Sequence, residues 1–581
     1  MPYDIILGRD KADKEKFGDK GLIYLGKGYV KMGLYTSLSN KIWLDIARSH
    51  VILVAGKRGC LEGETMIFTD KGYKKIKDFN EKEDKALSFN KDTKDFEWEN
   101  AKLLKYDVKD EELLKIIFED NESLILTKEH PLLVAQGKKL LSLFWLNASE
   151  LKEKDSILGI GKDLNDLIPK KIISIEKITH VSKVYDLTVP KNHSFIANGV
   201  ISHNSGKSYT LGVIAEELAN LPSENARNIA SLIFDTMGIF WTMKYKNEKD
   251  IPLLKEWQLE SKNLPVKVFV PFGKAEEYKS KSIPIDSTFA LLASELEAED
   301  WLSVFNLEFT SPAGVLIERI ITSLKESSKN YTLKDIEQKI IHDEKASKET
   351  KDLVSALFAA ADSWGIFSRT AEGTEVKDLI SAGTTTILDL SVYSSISAFN
   401  IRALVISLIS RKIFNSRMDS RKKEELDAIQ HGQEYLIYKS TRQDPLVWIF
   451  IDEAHEFMPK QSKTPATDAL MQLLREGRQP GISLVLATQQ PGQIHNDVMT
   501  QSDIVISHRV TSKPDIEALN EIMQTYLLEN IKQQMDDLPS LKGSAIILDD
   551  NSERIYPIRV RPRFTWHGGE APTSIKAELK I

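Results

Sequence analysis

The chain has 581 residues, 41% of them apolar and 28% charged, with a net charge of −7. That length exceeds one hydrophobic core and implies about three or four domains of a globular protein, and the negative charge excludes whole-molecule attraction to nucleic acid, so any such binding needs a local patch or a ring-shaped assembly. No apolar run approaches the roughly 20 residues that span a bilayer, and the opening MPYDIILGRDKADKEK lacks the apolar stretch of a secretory signal, so the expectation is a cytoplasmic protein with no membrane partner.

In chain order, GLIYLGKGYV and NKIWLDIA are strand-like runs, and residues 1–59 read as a short N-terminal β segment. His50 to Ala55 is an apolar run of the kind found in a buried parallel strand. It leads into Gly56-Lys57-Arg58-Gly59, the opening of a phosphate-binding loop that is not completed. Far downstream, Ser205-Gly206-Lys207-Ser208 starts abruptly and leads into the amphipathic pattern YTLGVIAEELANL. Joining Gly59 to Ser205 gives GKRGSGKS, a full G-x-x-x-x-G-K-S between a strand and a helix, the context this motif requires. Two halves that complete each other across 145 residues carry far more weight than either alone.

Composition marks the same boundaries. Residues 60–204 contain 23 Lys and no Arg, whereas the other 436 residues contain 18 Arg, a frequency that would place about six in the insert. The insert is also a series of short β-type runs, among them LLKIIF, SLILT, KIISIEKI and SFIANGVI, so it reads as an all-β domain over residues 60–204. It begins with the chain's one cysteine, Cys60. A lone thiol is either an inert core residue or a nucleophile, and a place at the joint of a split motif favours the nucleophile.

Over its whole length the insert resembles the intein family. The resemblance rests on Cys60 at its first position, Thr127-Lys128-Glu129-His130, the block VYDLTVPKNHSFIANGVISHN with Asp186 and His193, and His203-Asn204 before Ser205. Membership implies self-excision without metal, nucleotide or cofactor. The residue types suit that chemistry. The Cys60 thiolate can attack the Gly59 carbonyl and convert an amide into a thioester. Thr127 and His130 can hydrogen-bond the scissile peptide and protonate the departing nitrogen. Ser205 then takes over the acyl group, in an environment the resemblance assigns to Asp186 and His193. Asn204 cyclises onto its own carbonyl, polarised by His203, and cuts the chain. Only 55 residues separate His130 from Asp186, too few for a homing-endonuclease domain, so the resemblance is to a mini-intein.

The host resumes with residues 205–300 as the first part of an α/β RecA-like ATPase core. Residues 301–440 read as mainly helical (GVLIERIITSLKESS, LKDIEQKIIHDEKAS, TKDLVSALFAAADSW), broken by a strand-like TTTILDL. The basic run from Arg411 to Lys423 reads as a solvated helix face rather than a DNA contact. Residues 441–581 form the second part of the core. There VWIFIDE is a buried-strand run ending in Asp452-Glu453, the Walker B pattern. With ATP and Mg²⁺ as cofactors, Asp452 and Ser208 would serve the metal, Glu453 the attacking water, and Lys207 with Gly56, Gly59, Ser205 and Gly206 the phosphates.

FIDEAHEFMP, LLREGRQPGISLVLATQQP and the tail from DLPSLKGSAIIL to HGG resemble the HerA/FtsK branch of RecA-like motors. That resemblance implies a homo-hexameric, ATP-driven translocase on double-stranded DNA with a nuclease partner. It assigns Arg478 to a neighbour's nucleotide and Gln489 or Gln490 to a polar sensor. Asp235 matches an acidic residue after the second strand, and Arg48 is a looser match to an arginine acting in cis. Each of the three also has an ion-pair reading, which is favoured for Arg48 and not for Arg478 or Asp235. A secretion or pilus-type motor and a regulatory or defence ATPase share the Walker signatures and stay open. Family members usually carry a longer N-terminal β-barrel, of which the two N-terminal runs could make only a reduced version.

Overall fold

The computed structural model describes residues 4–567 except 33–34, 57–60, 82, 90–95, 108–112, 121, 128–129, 137–141, 149–150, 161–166, 180–182, 190–193, 204–206, 328–329, 371, 394–398, 432–443, 509, 511–514, 520–534, 536–537 and 540–542. Two separate sheets organise it.

The host sheet has thirteen strands among the described residues. Eight run parallel, in the order Ile504–Ser507, Val51–Ala55, Ile482–Thr488, Leu446–Ile451, Ile229–Asp235, Thr385–Asp389, Val266–Pro271, Ser287–Phe289. Val51–Ala55, Ile229–Asp235 and Ile482–Thr488 are buried at every residue, as expected of strands covered on both faces. Their alternate side chains feed two cores. Val51, Leu53 and Ala55 join the helices of residues 298–363, 399–431 and 467–476 on one face. Ile52 and Val54 join Leu211, Ile214 and Ala215 of helix Lys207–Ala219 on the other.

Two expectations are refined. Thr385–Asp389 lies within the predicted helical region, yet it is a strand of the motor sheet, paired with Ile229–Asp235 and Val266–Pro271. Residues 301–440 therefore contribute to the core itself. At the other end, Leu22–Met32 and Tyr35–Asp45 pair antiparallel and continue the same sheet through Arg554–Val560 and Ser544–Asp549. The N-terminal β segment is thus an extension of the motor sheet, joined to it by the chain's far end.

The insert's sheet is antiparallel at every pairing among the described residues and uses strands from Leu61–Glu62 to Val200–His203 only. Its cores likewise draw only on residues between Leu61 and Ile201, and the host cores contain none of these. Each unit buries its own apolar surface, so each satisfies its folding requirement independently.

Candidate functional site

The insert's two ends meet at one segment. Leu61 pairs with Leu126, directly before Thr127, and with Tyr185, directly before Asp186. At the other end Ser202 pairs with Leu132, two residues after His130, and His203 pairs with Ser194. Thr127 and His130 therefore lie between the first and last strands of the insert. Thr127, His130 and Asp186 are each at most 1% exposed. The His130 backbone N–H donates to the Thr127 carbonyl at 3.1 Å and its carbonyl accepts from Ala148 at 3.0 Å. The His130 ring stands edge-on to Phe195, 6.3 Å between centroids, and Phe195 pairs with Ser202. Cys60, His193, Asn204, Ser205, Gly206 and Gly59 lie outside the described residues, as do the side chains of His203, Lys207 and Ser208.

The nucleotide elements gather at the C-terminal edge of the parallel strands. Gly56 follows Val51–Ala55 and donates its N–H to the Thr488 carbonyl at 3.2 Å. Helix Lys207–Ala219 begins at the second half of the loop motif. The Walker B strand Leu446–Ile451 is separated from the loop strand by the sensor strand Ile482–Thr488. It delivers Asp452, 2% exposed, whose carboxylate accepts the Glu453 N–H at 2.9 Å. Glu453 itself takes the left-handed region (φ 51°), sparsely used by non-glycine residues outside special sites. Its carboxylate accepts a hydrogen bond from the Gln489 side-chain amide. Gln489 and Glu453 are thus in direct contact.

His455, which is not among the candidates above, belongs to the same cluster. Its Nδ1 lies 3.2 Å from Thr488 Oγ1 and 3.7 Å from a Glu453 carboxylate oxygen, and its Nε2 lies 3.3 Å from Gln490 Nε2. The string Asp452-Glu453-Ala454-His455 was the available signal.

Other candidates fall elsewhere. Arg478 precedes the sensor strand, at the edge opposite Gly56, and donates to the Gln501 carbonyl. Arg48 forms a bidentate pair with Asp13, 2.7 Å for each bond. Asp235 is fully buried and accepts backbone N–H groups of Met237, Gly238 and Phe240 at 3.2, 2.7 and 2.8 Å, capping the turn after its own strand. Burial, with Asp389 in register on the next strand, pushes its carboxyl up to about 7. The basic run is largely engaged: Arg411 pairs with Asp300 at 2.7 Å, Lys412 with Glu295 at 2.5 Å, and buried Arg417 donates to the carbonyls of Pro480 and Asp444.

Fold and sites together define a P-loop ATPase whose phosphate-binding loop is interrupted by an all-β domain. The family model described as intein splicing domain matches residues 66–204, and that of the helicase HerA central domain matches 205–413. A third, zonular occludens toxin (Zot), matches 397–513. The chain therefore carries an intein splicing domain inserted before a HerA-type central ATPase domain. Among curated relatives, the DNA double-strand break repair helicase HerA of Sulfurisphaera tokodaii is 23% identical over 336 residues, 58% of this chain and 57% of that protein. The protein of the same name from Pyrococcus furiosus is 28% identical over 145 residues, 24% of each chain. The matches thus span a quarter to somewhat over half of those relatives' length. Among solved structures, a DnaB intein from Synechocystis is 26% identical, covering 26% of this chain and 99% of that one, with a TM-score of 0.22. No helix of the described residues is long and apolar enough to cross a membrane.

Proposed function

We propose that residues 60–204 excise themselves by protein splicing and that the rejoined host is an ATP-hydrolysing, ring-forming motor on double-stranded DNA. The observation that carries the first half is the convergence of the insert's first and last strands on Thr127 and His130. The buried Thr127 and His130 can then serve both joints. Cys60 attacks the Gly59 carbonyl, the Gly59–Cys60 amide breaks, and the nitrogen takes the proton. Ser205 takes the acyl group from sulfur, Asn204 cyclises and releases the insert, and an oxygen-to-nitrogen shift leaves a Gly59–Ser205 peptide. Buried Thr127 and His130 are suited to the first step, and buried Asp186 to the environment in which Ser205 takes the acyl group.

In the rejoined loop, the backbone N–H groups of residues 56–59 and 205–208 would curl round the phosphates and Lys207 would neutralise them. Ser208 and Asp452 would hold Mg²⁺, an ion commonly bound by one or two protein oxygens plus phosphates and water. When bound it supplies charge neutralisation. Glu453, held by Gln489, would orient the attacking water. Arg478 is on the sheet edge away from the loop, which supports a role toward the nucleotide of another copy, and hence a ring, with six subunits by resemblance. DNA as the track and a place in break repair rest on the relatives' names; a nuclease partner rests on the resemblance alone. The test is ATP turnover of the spliced protein with and without linear duplex: marked stimulation supports a DNA motor, and indifference shifts the reading to a protein-moving or regulatory ATPase.

A further inference from the structure

Ligation requires the Ser205 hydroxyl to meet the Gly59 acyl group while the insert is still attached. Two frames bear on that encounter, the insert and the host. Ala55 ends its strand four residues before Gly59, and the P-loop helix starts two residues after Ser205. Links of at most roughly 14 and 7 Å therefore tie the reacting ends to elements already locked in the host.

The helix is held from two sides. Leu211 and Ile214 pack on Ile52 and Val54. Against the opposite side runs the chain's far end, residues 561–567. Fully buried Glu216 accepts from Arg561 Nη1 at 3.1 Å, Arg563 Nε at 2.9 Å, the backbone N–H groups of Phe564 and Thr565 at 3.1 Å each, and Thr565 Oγ1. The Arg563 N–H donates to the Tyr209 hydroxyl at 2.9 Å. Its guanidinium lies over Gly212, where a Cβ would come within 2.5 Å of Nη1. The strap is pinned in turn by Asn247 N–H to the Phe564 carbonyl (3.0 Å) and Trp566 N–H to the Tyr245 carbonyl (2.8 Å). All of this is assembled with the insert in place. Apolar packing alone lets a helix slide along a sheet, whereas a buried carboxylate gripped by two arginines sets one register; this is the best-attested use of buried charge.

We infer that residues 561–567, by clamping the P-loop helix through Glu216, are a positioning element for the ligation step of splicing. In that step the Gly59 carbonyl carbon forms a bond to Ser205 Oγ as its bond to Cys60 Sγ breaks, and the hydroxyl proton ends on the released thiol. The inference rests on the reading of Ser205 as acyl acceptor. Bond cleavage at Cys60 and Asn204 is run by insert groups; transfer between the host ends also depends on host alignment. Losing the strap shifts the outcome from ligated product to separate fragments.

The test expresses the full chain beside Glu216→Gln, Gly212→Ala and a chain ending at Val560, and measures ligated and cleaved products by intact mass. The expected result is a fall of about tenfold or more in the ligated-to-cleaved ratio, with cleavage at the joints persisting. A wild-type ratio in all three, with limited proteolysis showing the strap released, overturns the inference. Ser205→Ala is the separate arm: ligation by that variant removes the underlying reading. Should a variant precipitate, wild-type chain reacting in graded urea carries the same test. Ligation must then fail at the host's unfolding transition while cleavage continues, and ligation persisting beyond that transition overturns the inference.

Discussion

His50, the residue before the loop strand, offers the sharpest stability prediction. It is 2% exposed, with Nδ1 2.5 Å from Asp503 and Nε2 3.6 Å from Asp45. Asp503 also accepts the Val51 N–H at 2.7 Å, and Arg9 pairs with Asp45. This group ties the loop strand to the N-terminal strands and to Ile504–Ser507. Burial alone would push the imidazolium's pKa down; the hydrogen bonds and charges of Asp45 and Asp503 outweigh it and raise it from 6.5 to about 9. A base whose folded value is raised contributes stability fully below its unfolded value and loses it as pH climbs through the folded one. The shift corresponds to about 3 kcal/mol, present below about pH 6.5 and gone above about pH 9. The Asp503 carboxyl is shifted down, so its contribution is lost only in acid, outside that window.

The assay is urea denaturation of the Cys60→Ala, Asn204→Ala precursor, with and without His50→Gln. Tryptophan emission reports the region, because the Trp448 ring lies 6.4 Å from that of His50. The difference in unfolding free energy between the two proteins should be about 3 kcal/mol near pH 6 and shrink by most of that by about pH 9.5. A difference that is constant with pH, or that grows, refutes the reasoning.

Four further outcomes follow from the site. The doubly substituted precursor should not bind labelled ATP, because its anion cradle is divided between Gly59 and Ser205; tight binding contradicts this. Cys60→Ala alone should abolish ligation yet leave Asn204-dependent cleavage, and a normal ligated band on a gel would rule that out. In the spliced protein, Glu453→Gln should lower kcat by roughly 10²- to 10⁴-fold while nucleotide binding persists. Gln489→Ala, which removes the donor to Glu453, should cost roughly ten- to a hundredfold. Unchanged turnover in either variant would detach the Glu453–Gln489 pair from hydrolysis.

What the sequence made legible was local. The split loop shows because each half is incomplete and each has its strand or helix beside it, and the central strands show as all-apolar runs. Other features depend on contacts between residues far apart in the chain, which periodicity does not encode. The role of Thr385–Asp389 as a sheet strand, the union of Leu22–Met32 with Arg554–Val560, and the grip of Arg561 on Glu216 across 345 residues are of that kind. Asp235 shows the converse: its place after a strand is legible, but the backbone N–H groups of its own turn that take up its carboxylate are not. Glu216 had a faint signal, a charge on an otherwise apolar helix face, and His50 had none beyond being polar at the head of a buried strand.

Intact mass spectrometry of the freshly expressed protein bears most directly on the account. It predicts a host chain of 436 residues continuous from Gly59 to Ser205, together with a free 145-residue insert. A single 581-residue polypeptide that persists under all conditions and still turns over ATP would contradict it.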